Sequence, residues 1–297
     1  MQFARAGYQT RMYNRSEEGR SRALEAMRLA LDVLVEHGLE SEDSAGSALE
    51  RVSPSFELAQ VATGAGFVVE AVSEDMRLKR SLFAELDRLC PPPAILATDT
   101  SGLSITEIAS ATASPGRVIG THHFNPPYLV PGVEVVSGLQ TTEETVRRTC
   151  SLLRSIGKLP VLVKDVVGFV ANRLSVALKR EAWAIVEQGL ARPEEVDAIW
   201  TSTLGPIYAA LGPLQVSDAS GLDVLVTVHE YVEPVLTPAS DASEMVRGMR
   251  EREEFGIKSG RGFYRWTPES AAALIKRRDE LLLRMLGVSR PTSGERP

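Results

Sequence analysis

The chain has 297 residues, 43% hydrophobic and 24% charged, values of a globular protein with room for two domains. A net charge of −6 with no basic run offers no footprint for nucleic acid, and no apolar stretch has the length of a membrane span. Two cysteines, Cys90 and Cys150, are too few for a disulfide framework and point to a reducing, cytoplasmic setting, with no metal cluster expected.

The start, "MQFARAGYQT", is too polar for a secretory signal. "YQTRMYN" reads as a strand. "SEEGRSRALEAMRLALDVLVEHG" follows as a helix, with Ser16 as N-cap, Glu17 and Glu18 in the first turn and Gly38 as the stop. "GFVVEAV" is an apolar, β-branched run and reads as a buried strand. "DMRLKRSLFAELDRLC" is a helix ended by the prolines at 91–93. "AILATDT" is a strand, "SITEIASAT" a helix with Ser104 and Glu107 spaced as a capping box, and "RVIGTHH" another strand. "GVEVVSG" and "LPVLVKD" add two strands around the helix "TEETVRRTCSLLRSIG". After Asp165 the texture turns helical, from "VVGFVANRLSVALKREAWAIVEQG" to about Leu286. The tail "SRPTSGERP" reads as disordered.

This order predicts an α/β fold class: an N-terminal Rossmann-like doubly wound parallel sheet over residues 1–164, then an all-α C-terminal domain over 165–297. A dinucleotide-binding domain opens with a strand and a G-x-G-x-x-G turn. Here "MQFARAG" reads as the end of the helix that follows that turn. "GAG" at Gly64–Gly66 precedes a strand instead of following one, so it reads as an ordinary turn. The expectation is that the natural polypeptide begins about twenty residues upstream, since that is what the absent strand and turn occupy.

Six ordered motifs then carry a resemblance: "VVEAVSEDMRLKRSLF", "DTSGLSITEIA", "GTHHFNPP…VEVVSG", "KDVVGFVANRL", "LGPLQVSDASGLDVL" and "KSGRGFYRW". From Phe3 to Trp266 the chain resembles the L-3-hydroxyacyl-CoA dehydrogenase family. The resemblance implies an oxidoreductase of fatty acid metabolism that passes hydride from an L-3-hydroxyacyl-CoA to NAD. It places the catalytic histidine at His122 and its partner carboxylate at Glu134, with Ser101 and Asn172 on the substrate. It places cofactor contacts at Glu74, Lys79, Asn125 and Lys258.

Histidine suits the chemistry because its pKa lies near working pH, and a carboxylate on one ring nitrogen sets the tautomer of the other. His123 neighbours His122 on a strand and so faces the other way, toward packing. At the end of the first visible strand Asn14 stands where an acidic residue usually meets the ribose. Arg15 follows it, so NADP stays open beside NAD.

Two readings of the substrate stay open. The stretch "VEHGLESEDSAGSALERV" is acidic where CoA wants cations, and "NPPYLVP" resembles relatives that oxidise free hydroxy acids: L-gulonate and L-carnitine dehydrogenases and lambda-crystallin. A non-catalytic, crystallin-like homologue is the third reading. A small-molecule substrate and a homodimer joined through the helical half are expected, with no nucleic-acid or membrane partner.

Overall fold

The structure, a computed structural model, describes residues 1–238 and 243–287. The expected disorder of Ser289–Pro297 lies outside the described residues. Two compact units divide the chain: Met1–Asn172 together with the segment from Arg277 onward, and Arg173–Lys276.

The first unit begins with α1 (Gln2–Arg5), β1 (Thr10–Tyr13), α2 (Glu17–Glu36), α3 (Glu42–Glu50), β2 (Val52–Ser55) and α4 (Leu58–Ala62). It continues through β3 (Phe67–Glu70), α5 (Met76–Leu89), β4 (Ile95–Thr98), α6 (Ile105–Ala109), β5 (Val118–His123), β6 (Gly132–Ser137), α7 (Glu143–Ser155) and β7 (Leu159–Lys164). Local chemistry marks the boundaries. Ser16 caps α2 through the Gly19 N–H, and Asp75 caps α5 through the Leu78 N–H at 2.9 Å. Gly38 turns the chain out of α2 with φ of 68°, a conformation open to glycine. The short strand β2 and the separate helix α3 were not anticipated: "VSPS" has neither length nor apolar alternation.

Two sheets result. β1 and β2 form a parallel pair, and β3-β4-β5-β6-β7 form a second sheet. The expected all-parallel order fails at one place: β6 runs antiparallel to β5. Residues 124–131 alone connect them, too short a link for the helical crossover that a parallel pair needs.

Along these strands the side chains alternate with period two. Leu96, Val118 and Val136 meet Phe83, Leu86, Ile105 and Ile108 of α5 and α6. Ile95, Ala97, Ile119, Val133 and Val135 meet Cys150 and Leu153 of α7 on the other face. Gly120 lets α6 lie close on β5: a Cβ there would stand 2.7 Å from Ile105 Cδ1 and 3.0 Å from Val136 Cβ.

The second unit is helical. α8 (Ala171–Glu187) leads into it, followed by α9 (Pro193–Ile199), a π-helical turn at Trp200–Leu204, α10 (Gly205–Ala210), α11 (Pro213–Ser220), α12 (Leu222–Val232) and α13 (Glu244–Glu251). α14 (Pro268–Met285) returns the chain to the first unit, where Leu283 packs with Leu34 and Leu129. Among the described residues no helix is long and apolar enough to cross a membrane.

Candidate active site

Strand register builds the centre of the site. In the antiparallel ladder His122 stands opposite Glu134, and directly opposed residues project from the same face. His122 Nδ1 and Glu134 Oε2 lie 2.8 Å apart, and the two residues are 7% and 6% exposed. An ionised carboxylate only accepts, so Nδ1 carries the hydrogen and donates it. The neutral ring then keeps its lone pair on Nε2. Phe124 and Phe169 flank the imidazole, with ring centroids 4.4 and 6.1 Å away.

The second oxygen of Glu134 is held as well. Val170 and Ala171 donate their backbone N–H groups to Oε1 at 3.0 and 2.9 Å. These amides open α8, where negative charge is favoured by the helix dipole. Just before them Phe169 has φ of 47°, a left-handed backbone that costs a bulky residue on the order of 1–3 kcal/mol. Its ring is fully buried in the core beneath α5 and α6. Asp165, at the other end of this turn, accepts from Ser104 Oγ (3.0 Å), Ile105 N (3.1 Å), and Thr106 N and Oγ1 (2.8 and 2.6 Å). The turn between β7 and α8 is therefore tied at both ends.

A second network sits at the ends of β3 and β4. Lys79 is 1% exposed. Its ammonium lies 2.8 Å from Glu70 Oε1 and 3.5 Å from Glu74 Oε2, and donates to the Val72 carbonyl at 3.3 Å. Thr98 Oγ1 donates to the other Glu70 oxygen at 2.7 Å. Glu74 Oε1 accepts from Thr100 Oγ1, from Ser101 N at 2.9 Å and from Ser101 Oγ at 3.3 Å. Asn172 Nδ2 donates to the Ser101 carbonyl. Burial raises the Glu74 carboxyl, but the bonds from Thr100 and Ser101 and the charge of Lys79 outweigh it and hold the group below its ordinary value of 4.5.

Six of the nine expected residues are thus joined in one chain of contacts: His122 to Glu134, the start of α8 with Asn172, then Ser101, Glu74 and Lys79. Three stand outside it. Asn14 follows β1 half-buried, its Oδ1 so near Gly19 that a Cβ on Gly19 would come within 2.8 Å. Asn125 is exposed beyond β5, and Lys258 is exposed in the second unit. His123 turns away from His122, its N–H donating to Asp99 Oδ1 at 2.7 Å.

Sequence reasoning missed Glu70, Asp165 and Phe169. Asp165 had a signal, standing between a strand and a helix. Phe169 had only the neighbouring Gly168.

Loops beyond the carboxyl ends of the strands are where a doubly wound sheet meets its ligand. Glu74 Oε2 has only the 3.5 Å contact to Lys79 and its side chain is 41% exposed, so it has room to accept from a ribose hydroxyl. The exposed amide of Asn125 adds donors and an acceptor. The open carboxylate oxygen of Glu74 suits a ribose hydroxyl of a dinucleotide. A glycine-rich turn to receive the pyrophosphate does not occur in residues 1–297.

Comparison with known proteins shows the family. The family model described as 3-hydroxyacyl-CoA dehydrogenase, NAD binding domain, matches residues 1–166. The 3-hydroxyacyl-CoA dehydrogenase C-terminal domain matches residues 168–266. A 5-formyl-3-hydroxy-2-methylpyridine 4-carboxylate 5-dehydrogenase of Mesorhizobium japonicum is 36% identical over 95% of this chain and 90% of its own length. A probable 3-hydroxybutyryl-CoA dehydrogenase of Bacillus subtilis is 38% identical over 88% of this chain and 90% of its own. The crystal structure of a 5-formyl-3-hydroxy-2-methylpyridine 4-carboxylic acid 5-dehydrogenase, described as an NAD+ dependent dismutase, superposes with a TM-score of 0.89 at 34% identity. It covers 97% of this chain and 94% of that one.

The depressed Glu74 carboxyl has a consequence for stability. A group titrating lower in the folded state stabilises it above the unfolded pKa, and that contribution disappears as pH falls through the folded value. Glu74→Gln is expected to flatten the loss of stability below about pH 4.5, measured as urea midpoints from pH 6 to pH 3. An acid limb as steep as that of the parent protein would contradict the network.

Proposed function

The chain belongs to the 3-hydroxyacyl-CoA dehydrogenase family, and from that premise we propose that it oxidises the secondary alcohol of an L-3-hydroxyacyl-CoA with His122 as the base. The observation that carries the reading is the buried His122–Glu134 pair, 2.8 Å apart and in direct cross-strand register. NAD is the cofactor of the matched domain and supplies the hydride acceptor when bound.

The residues of this chain do the rest. Nε2 of His122 takes the hydroxyl proton, leaving an imidazolium next to the Glu134 carboxylate, which stabilises it and keeps the ring in place. Ser101 and the second N–H of Asn172 hold the substrate oxygen while charge develops on it. Phe124 and Phe169 exclude water from the ring. Glu74 and Asn125 receive the cofactor directly, with Asn14 at its adenosine end and Lys258 as a further contact. Lys79 acts through Glu74. In this reading residues 1–164 carry the cofactor and 165–297 serve the substrate and the dimer. The setting is cytoplasmic and the role belongs to fatty acid metabolism.

A second substrate reading, a free small hydroxy acid, is favoured by one observation: α3 is the acidic segment EDSAGSALE, with no cation for a CoA phosphate. The Mesorhizobium relative is likewise named for a substrate without CoA.

The helical unit supports a homodimer. Among the described residues of 173–276 only Ala184 is buried, while Leu214, Leu222, Val224, Val226 and Tyr231 are all more than half exposed. A unit this apolar without a core of its own calls for cover. A second copy of the same helices is the cover we assign, since identical apolar faces such as that of α12, LDVLVTVHEYV, can cover one another.

His122→Ala is expected to lower kcat by about 10²–10⁴-fold while leaving NAD affinity unchanged. Full turnover in that variant would end the reading. Comparing kcat/KM on 3-hydroxybutyryl-CoA, L-gulonate and L-carnitine decides the substrate class, the CoA ester being expected to win. Light scattering is expected to give the mass of two chains. A monodisperse monomer with intact helical content would contradict the assigned partner.

A further inference from the structure

We infer that Phe169 is a positioning residue: its left-handed backbone aims the Val170 and Ala171 N–H groups at Oε1 of Glu134 and so keeps Oε2 on His122. The inference rests on the catalytic reading of that pair. A carboxylate bound through one oxygen can still swing about its last bond. Glu134 is fixed at three points, by His122 Nδ1 at 2.8 Å and by two amides at 3.0 and 2.9 Å. Those two amides point at it because the chain reverses through Gly168 (φ 76°) and Phe169 (φ 47°) immediately before α8.

Glycine would adopt this backbone more easily. Phenylalanine holds it in place. The ring is 0% exposed and packs with the core of α5 and α6, and its centroid lies 6.1 Å from the imidazole. The Phe169 N–H closes the turn on the Val166 carbonyl at 3.0 Å. A Cβ on Gly102 would come within 3.2 Å of Gly168 Cα, so the neighbouring loop leaves the turn no room to relax. One side chain thus anchors the turn, touches the base and sets the donors that hold the base's partner.

Backbone and packing roles are separable. Phe169→Leu keeps an apolar side chain that is unbranched at Cβ. Phe169→Ile moves the branch to Cβ, which a left-handed residue tolerates poorly. Ala171→Pro deletes one N–H at the first helical position, where proline is accommodated, and removes no side-chain contact.

Phe169→Ile and Ala171→Pro are expected to lower kcat about tenfold or more and to move the acid limb of its pH profile downward. An imidazole that loses its carboxylate binds a proton less tightly. Phe169→Leu, which thins the aromatic cover of the imidazole but keeps the backbone, is expected to lose less kcat than Phe169→Ile and to leave the acid limb unmoved. NAD affinity and the melting temperature of Ala171→Pro should hold. The other ionisable groups nearby, Asp99 with His123 and Glu74 with Lys79, are untouched by these changes.

Equal losses in Phe169→Leu and Phe169→Ile would overturn the inference, as would a fall in kcat with no shift of the limb. Glu134→Gln separates the two levels. If it moves the limb and Ala171→Pro does not, this inference alone fails. If it leaves the limb in place, the catalytic reading and the inference fall together.

Discussion

One carboxylate organises this protein. Glu134 has an imidazole on one oxygen and two backbone amides on the other, so it couples the central sheet to the first turn of α8. The coupling depends on the register of the antiparallel β5–β6 ladder, in which Glu134 falls opposite His122. A slip of β6 by one residue would send Glu134 to the α7 face and leave His122 without it. The apolar alternation of Val118, Ile119, Val133, Val135 and Val136 forbids the slip, since it would reverse every buried contact. Packing therefore fixes the geometry of the His122–Glu134 pair as firmly as the hydrogen bond does.

The second network answers a different electrostatic problem. Two glutamates meet at the ends of β3 and β4, and Lys79 is buried with them. A buried charge without a partner is expensive, and each of these has one: ammonium to carboxylate, carboxylate to threonine hydroxyl. The outcome is a rigid ledge on which Thr100 and Ser101 are held by Glu74. Ser101 then meets Asn172, which rides on the helix that Glu134 anchors. Both networks converge on the same few residues of α8.

Much of this was legible in the chain itself. The strand pattern of "RVIGTHH" and "GVEVVSG", joined by a short link, already placed His122 and Glu134 within reach. The N-caps Ser16 and Ser104 and the stop at Gly38 lie where the residues suggest. Other features were hidden for physical reasons. Lys79 reads as a cofactor contact from the resemblance, and only the fold shows it buried against Glu70. β2 has two exposed positions and a proline, so no periodicity marks it. The left-handed turn at Phe169 is invisible because the residue is the wrong type for that conformation, and the surrounding core compels it. That only Ala184 is buried among the described residues of 173–276 is equally unreadable, since an amphipathic pattern says that a face is covered without saying by what.

The most direct test of the account is the protonation state of the His122 ring, read by ¹⁵N NMR of labelled imidazole above its pKa. A ring held by Glu134 carries its hydrogen on Nδ1 and leaves Nε2 bare, and Glu134→Gln should disturb that preference. A neutral ring protonated on Nε2 in the parent protein would contradict the account, because its base would then face the carboxylate instead of the substrate.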